Sequence, residues 1–278
     1  MALQRATERL RESGADTPRL DAEVLLMHLT GLDRARLFMR YPEPLPLETN
    51  TSFAELIERR AGGEPVAYIT SSREFMGLDF FVDRRVLIPR PETEGLVERA
   101  LAWIERQACP LRIVDVGTGS GAIAISIDRL NQAAVRPLIV ASDNSQDALA
   151  VTRINRQRLG AERVQIVCGS LLDWARVPFE MIVANLPYLR EDQRHTGIRL
   201  EPDSALYADD LGFAFYRELL GQSSSLLAPG GILLCEIDPA QREAALKRSR
   251  AANPTATVRV EPDLAGLDRY LVVELPAG

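Results

Sequence analysis

Beyond residue 90, short apolar runs alternate with helical stretches, and that alternation leaves few folds open to the chain. The runs are LRIVDV, PLIVAS, RVQIVC, EMIVAN and GILLCEI, all rich in Val and Ile. Helical stretches separate the first three runs and again the last two, as at 213–227. Near-continuous apolar strands joined by helices imply a parallel sheet covered on both faces. The tail, ATVRVEPDLAGLDRYLVVEL, ends in two strand-like runs with no helix between them. It predicts an antiparallel pair at one sheet edge, so the fold class is α/β.

The earlier chain has a different texture. Leu3, Ala6 and Leu10 recur at helical spacing. Thr17-Pro18 reads as an N-cap with proline at the first helical position. Ala22, Leu25, Leu26 and Leu29 then share a face, and Gly31 stops the helix. A short helix is predicted over Arg34–Arg40, a proline-rich connection over Tyr41–Glu48, and a further helix over Phe53–Ala61 ended by Gly62-Gly63. The segment EFMGLDFFV (Glu74–Val82) reads as a β-hairpin around a glycine. The predicted division is a small all-α domain over 1–70, a hairpin linker over 71–88 and an α/β domain over 89–278. No internal repeat or low-complexity segment interrupts it.

Bulk properties narrow the function. Of 278 residues, 46% are hydrophobic and 26% charged, as in ordinary soluble proteins. No stretch approaches the ~20 apolar residues of a membrane span. The N-terminus, MALQRATERLRESG, is interrupted by charges and lacks the apolar core of a signal peptide. A cytoplasmic protein is expected. The net charge is −6 and no run of Lys/Arg occurs, which weighs against nucleic acid as the main partner. Three cysteines, odd in number and far apart, have no metal-ligand spacing. Cys168 and Cys235 sit in apolar runs and read as buried core residues. With only His28 and His195 available, no metal site is expected.

The first run of the α/β part leads into Asp115-Val-Gly117-Thr118-Gly119-Ser120-Gly121. A glycine-rich turn between strand and helix lets backbone approach a ligand and sets a helix N-terminus beside it. The dinucleotide fingerprint is G-x-G-x-x-G. Here the third glycine comes one residue early, and Ala122 stands where the last glycine belongs. The spacing instead resembles the cofactor loop of class I methyltransferases, with Asp115 serving the cofactor's amino end and the loop conformation. The second run ends at Asp143, 22 residues beyond Gly121. An acid there is placed to accept hydrogen bonds from ribose hydroxyls. Leu171, after the third run, reads equally well as core and as a wall for an adenine ring.

The fourth run leads directly into Asn185-Leu186-Pro187-Tyr188. Ligands in doubly wound sheets sit beyond the carboxyl ends of strands, so Asn185 should face the same crevice as the glycine loop. The tetrapeptide resembles the N-P-P-Y corner of methyltransferases that act on planar NH2 groups: adenine N6, cytosine N4 or glutamine amide. An amide nitrogen is a poor nucleophile, and its NH2 offers two donors. The Asn185 side-chain oxygen and the Leu186 carbonyl can accept one each. They would hold the nitrogen in line with a methyl donor and stabilise developing positive charge. Tyr188 would pack on the flat substrate group or exclude water. Leu186 replaces the usual proline. This frees φ at 186, while Pro187 still restrains it toward extended geometry.

Two further stretches extend the likeness: Pro65-Val-Ala-Tyr-Ile-Thr with Arg73-Glu74-Phe75, and Leu87-Ile-Pro89-Arg90-Pro91-Glu92-Thr93-Glu94. With Glu201-Pro202 and Asp268-Arg269-Tyr270 they resemble the release-factor glutamine methyltransferases, the HemK/PrmC family, over essentially the whole chain. The resemblance implies a Rossmann-like, seven-stranded mixed sheet with an antiparallel last strand. It implies S-adenosyl-L-methionine as cofactor, S-adenosyl-L-homocysteine as product, and the glutamine of a Gly-Gly-Gln loop in peptide chain release factors as substrate, held partly by the helical domain. Cofactor contacts would be Asp115, Gly117, Thr118, Gly119, Ser120, Gly121, Asp143, Asn144, Ser170, Leu171 and Asn185. Asn185, Leu186, Pro187 and Tyr188 would bind substrate and carry the chemistry. Arg90, Glu92 and Thr93, with Pro89 and Pro91, would border the mouth. From residue chemistry alone, Glu92 is as readily a helix-start acid. Asp238 stands where the family usually has glycine. The charged segment Leu189–Asp210 reads as a long loop, with His195 and Arg199 solvated in it.

Three other readings remain at this point: glutamine methylation of a ribosomal protein, adenine-N6 methylation of nucleic acid, and a binding module that has lost activity. Acidic net charge and few aromatics argue against the second. The intact glycine loop argues against the third. A monomer is expected.

Overall fold

The computed structural model describes residues 2–39, 44–193 and 198–277. Arg40, the start of the proline-rich connection and His195 lie outside the described residues. The described chain divides into two compact units, one comprising 2–72 with 198–200 and the other 73–193 with 201–277.

The first unit is helical: α1 (Ala2–Glu12), α2 (Pro18–Thr30), α3 (Arg34–Met39), α4 (Leu47–Ala61) and α5 (Val66–Thr70). The stripe Leu3, Ala6, Leu10 is buried with Ala22, Leu25, Leu26, Phe53 and Ile57. Gly31 ends α2 in the left-handed region, donating its N–H to Met27 O. Thr17 precedes Pro18 as expected, but its hydroxyl donates to Asp21 Oδ1 (2.7 Å) instead of capping the backbone. Asp21 is buried and pairs with Arg60 at 2.7 Å. Helix α4 begins at Leu47, ahead of the predicted Phe53; its first turns are polar and Leu47 is 83% exposed. No apolar period marks them. Arg199, from the later segment, donates to Gly62 O at 2.9 Å.

The second unit opens with a hairpin, β1 (Arg73–Phe75) and β2 (Leu78–Phe80). Met76 and Gly77 take φ of 54° and 73°, the signature of a tight turn that matches strand twist. Phe75 and Phe80 are fully buried and meet edge to face at 6.1 Å. After α6 (Pro91–Ile104) come β3 (Arg112–Val116), α7 (Ala122–Leu130), β4 (Leu138–Asp143), α8 (Gln146–Arg158), β5 (Gln165–Cys168) and β6 (Phe179–Ala184). Short helices α9 (Asp203–Leu206) and α10 (Asp209–Gly212), with a 3-10 turn at Glu191–Gln193, structure the segment predicted as a loop. Its polar composition concealed them. The chain ends with α11 (Ala214–Leu226), β7 (Leu227–Glu236), α12 (Arg242–Ala252), β8 (Thr257–Pro262) and β9 (Asp268–Glu274).

The seven strands lie in the order β5-β4-β3-β6-β7-β9-β8. The first five are parallel; β9 runs antiparallel to both β7 and β8. Successive residues of β3 bury on opposite faces, Ile113 with one apolar cluster and Val114 with another. Strand order reverses between β3 and β6, and a crevice opens there at the carboxyl ends. Cys235 is buried in β7, but Cys168 is exposed. It ends β5, the edge strand, where one flank of the sheet is uncovered.

Asn155 on α8 ties the hairpin's exit to the glycine loop. Its Nδ2 donates to Phe81 O and Ser120 O, both at 2.9 Å, and its Oδ1 accepts from Phe81 N at 2.7 Å. Buried polar groups that lose partners cost more than the bonds themselves contribute. Asn155→Ala is expected to lower stability by about 2–4 kcal/mol in urea unfolding; a loss under ~1 kcal/mol would refute that role.

Candidate active site

A cleft opens at the carboxyl ends of β3, β4 and β6. It brings together most of the residues singled out by sequence. Gly117, Thr118, Gly119 and Ser120 form one wall, with Asp143 and Asn144 beyond β4 and Ser170 and Leu171 beyond β5. Asn185, Leu186 and Pro187 close it beyond β6, and Arg90 and Thr93 border it. Gly121, Asp115, Tyr188 and Glu92 are not part of this lining.

Each of the four has a physical reason. Gly121 starts α7 with φ of 84°, and a Cβ there would meet Ile125 Cδ1 at 2.8 Å, so it faces the core. Asp115 is fully buried behind the loop; its Oδ2 accepts from Thr118 Oγ1 (2.6 Å) and Ala124 N (3.1 Å). It serves the loop conformation and does not reach the cleft. Glu92 is exposed in the first turn of α6, and its side chain faces a second hollow with Glu94, Glu98 and Asp263. Tyr188 turns inward, donating its hydroxyl to Glu236 Oε1 at 3.1 Å.

The glycine loop is braced against the Asn-Leu-Pro-Tyr corner. A Cβ on Gly117, whose φ is 73°, would lie 2.8 Å from Leu186 Cδ2. The left-handed backbone there favours glycine, and any Cβ would also have to displace the Leu186 side chain. Asp143 Oδ2 accepts from Gly119 N and Oδ1 from Ser145 N, both at 2.9 Å. Burial pushes the Asp143 carboxyl above its ordinary range, opposed by these amides. Asp143 lines the cleft and each of its oxygens has accepting capacity left for the hydroxyl donors of a ribose. This acceptor and the glycine cradle fit an adenosine-type ligand.

At the corner, Asn185 Nδ2 donates to Thr93 Oγ1 (2.9 Å) and Glu236 Oε2 (3.1 Å), and Thr93 Oγ1 donates to Glu236 Oε2 (2.7 Å). Leu186 N donates to the Tyr216 hydroxyl at 3.0 Å, and that hydroxyl donates to Glu236 O. Burial pushes the Glu236 carboxyl up, against hydrogen bonds from Thr93 and Tyr188 and the charge of Arg269. Burial also raises the Tyr188 phenol well above its usual range, so it remains a donor. Glu201 is buried; it accepts from Ile88 N at 3.0 Å and pairs with Arg90, fixing the Ile88-Pro89-Arg90 rim.

Sequence reasoning passed over Glu236 and Tyr216. An acid closing the apolar run GILLCEI was the available signal for Glu236. Tyr216 lies inside α11 among apolar residues, and nothing distinguished it from core. Asp238, where glycine is usual, forms a capping box with Gln241 and accepts from Ala240 N at 2.8 Å. The turn is capped by a side chain rather than loosened.

The sheet order and the glycine-lined cleft define a class I methyltransferase. A sequence-family profile described as methyltransferase domain matches residues 110–263, and one described as PrmC N-terminal domain matches residues 1–70. The release factor glutamine methyltransferase of Deinococcus radiodurans is 38% identical over 272 residues, covering 97% of this chain and 95% of that protein. The protein of the same description from Escherichia coli K12 is 40% identical over 251 residues, covering 87% and 86%. A solved methyltransferase from Pyrococcus furiosus, 16% identical, shares the fold with a TM-score of 0.54 over 80% of this chain and 99% of that one. The chain belongs to the release factor glutamine methyltransferases.

Burial raises Asp115 to about 7, opposed by the Thr118 and Ala124 hydrogen bonds and reinforced by the charge of Asp143. Its Oδ1 is buried without a partner among the described residues. A folded-state value above the unfolded one means that the folded form holds the extra proton between them. The contribution is complete below pH ~4 and is lost as pH rises through about 7. Asp115→Asn cannot titrate. Relative to the wild type, the variant is expected to gain stability between pH 5 and 7.5, by at most roughly 4 kcal/mol. Urea unfolding at four pH values checks this; parallel stability curves for the two proteins would exclude it.

Proposed function

We propose that the chain transfers a methyl group to the side-chain amide nitrogen of the glutamine in the Gly-Gly-Gln loop of a peptide chain release factor. The observation that carries this is the placement of the Asn185-Leu186-Pro187 corner against the glycine loop, in one cleft. When bound, S-adenosyl-L-methionine supplies an electrophilic methyl group on a sulfonium sulfur and leaves as S-adenosyl-L-homocysteine. The backbone of Gly117–Ser120, with Asp143, Asn144, Ser170 and Leu171, would hold it.

The chain's own part is to present the nitrogen. Asn185 Oδ1 and the Leu186 carbonyl accept one amide proton each, which localises the lone pair away from them and toward the methyl donor. The same two oxygens stabilise positive charge as it grows on the nitrogen. The methylated nitrogen is then strongly acidic and releases a proton to solvent, so no strong base is needed. Pro187 and the rim at Arg90 and Thr93 exclude water and shape the entrance. The helical segment 1–70 matches the PrmC N-terminal domain. We assign it the grip on the protein substrate, with 71–88 as linker and 89–278 as the catalytic domain. No helix among the described residues is long and apolar enough to cross a membrane. We assign the enzyme to the cytoplasm and read it as a monomer.

The test uses labelled S-adenosylmethionine with purified release factor, a variant lacking the Gly-Gly-Gln glutamine, ribosomal protein and DNA. Label is expected on the wild-type factor alone. Asn185→Ala is expected to lower kcat/KM by about 10²–10³-fold. Label on ribosomal protein or DNA, with none on release factor, would replace the substrate.

A further inference from the structure

Two oxygens can present a glutamine nitrogen only if each faces the cleft. An asparagine amide is nearly symmetric in shape, and turning it by half a revolution exchanges oxygen for NH2. Turned the wrong way, Asn185 would set a donor against the substrate's donors. We propose that Glu236, which does not line the cleft, is the positioning residue that prevents this and also fixes the Leu186 carbonyl. The inference rests on the reaction proposed above and deepens it.

The side chain of Glu236 controls Asn185. A carboxylate accepts and does not donate. Its Oε2, 3.1 Å from Asn185, therefore requires Nδ2 on that side. Thr93 enforces the same choice. Its one proton goes to Glu236 Oε2 at 2.7 Å, so only lone pairs are left to meet Asn185 at 2.9 Å. Two acceptors on one side of the amide leave Oδ1 for the cleft. Glu236 and Thr93 are both buried, so water cannot supply an alternative partner. Tyr188 occupies the other carboxylate oxygen at 3.1 Å, which stops the carboxylate from rotating away.

The main chain of Glu236 controls Leu186. Unlike proline, Leu186 has an N–H, and here it is buried and needs an acceptor. The Tyr216 hydroxyl, fully buried, takes it at 3.0 Å. That hydroxyl has one proton and gives it to its nearer neighbour, Glu236 O. The Leu186 carbonyl, 3.2 Å from the same hydroxyl, keeps its lone pairs. The peptide at 186 is thus anchored by a bond that replaces the stiffness of a ring.

The experiment compares Glu236→Leu, Glu236→Gln and Tyr216→Phe for kcat and KM on release factor, with cofactor affinity by calorimetry. Glutamine can place its oxygen toward Thr93 and Asn185 and its NH2 toward the Tyr188 hydroxyl. Glu236→Gln is therefore expected to keep kcat within about fivefold, while Glu236→Leu loses about 100-fold or more with cofactor Kd changed less than about twofold. Tyr216→Phe is expected to lose about tenfold in kcat. Retained kcat in Glu236→Leu overturns the proposal. So does an equal loss in Glu236→Gln, which would make the charge, not the orientation, the working feature. If Glu236→Leu binds no cofactor because it does not fold, Thr93→Val replaces it; a loss of about tenfold or more in kcat is expected, and no loss overturns the proposal. If wild-type protein labels no substrate at all, the reaction reading fails instead. The Asn185 side-chain NH2 resonances then decide the inference: slow exchange with solvent supports it in wild type and Glu236→Gln, and fast exchange overturns it.

Discussion

A carboxylate taken out of water must be compensated, and at Glu236 the compensation organises the site. Moving an ionised group into a protein interior costs several kcal/mol unless donors surround it. Glu236 gathers three: Thr93 from α6, and Asn185 and Tyr188 from the corner after β6. None of these elements is adjacent in sequence to β7, whose last residue is Glu236. The cost of burial is offset only when α6, the corner and β7 are all in register. A group that looks like a liability to stability therefore specifies the relative placement of three elements around the cleft.

A similar economy holds at the other end of the cleft. Asp115 is buried behind the glycine loop, and its oxygen takes Thr118 and the N-terminal turn of α7. Asp143 takes Gly119 and the N-cap residue of α8. Thr152 of α8 reaches back to donate to Gly119 O at 2.8 Å. The loop is mostly glycine and would lose more conformational freedom on ordering than other sequences. These side chains fix it from behind and restrict the freedom that glycine would otherwise allow.

Much of the architecture was legible because it depends on period and punctuation. The five Val/Ile-rich runs became five parallel strands, and the tail became the antiparallel pair, since strands buried on both faces leave an unambiguous apolar run. The cleft's glycines and the Asn185 corner were legible for a related reason: backbone that approaches a ligand at a strand end constrains residue type locally. What escaped was long-range. Tyr216 stands 30 residues from Leu186 and Glu236 stands 51 from Asn185. No local pattern announces that a phenol within an apolar helix face will serve a main-chain N–H in another segment. Cys168 misled for the converse reason: apolar neighbours in an edge strand do not guarantee cover.

Leu186 shows how a departure from the usual corner is absorbed. Replacing a proline adds a free torsion and a buried donor, two changes that oppose rigidity. The donor is satisfied by Tyr216. The torsion is limited by Pro187, which disfavours helical geometry at the preceding residue. The side chain itself is limited by Gly117, against which Leu186 Cδ2 packs too closely for any Cβ on that residue. The branched apolar side chain over the glycine loop joins the two walls of the cleft by direct contact. A Cβ at Gly117 would have to push the end of that side chain aside, a cost added to the strain of its own left-handed backbone angle.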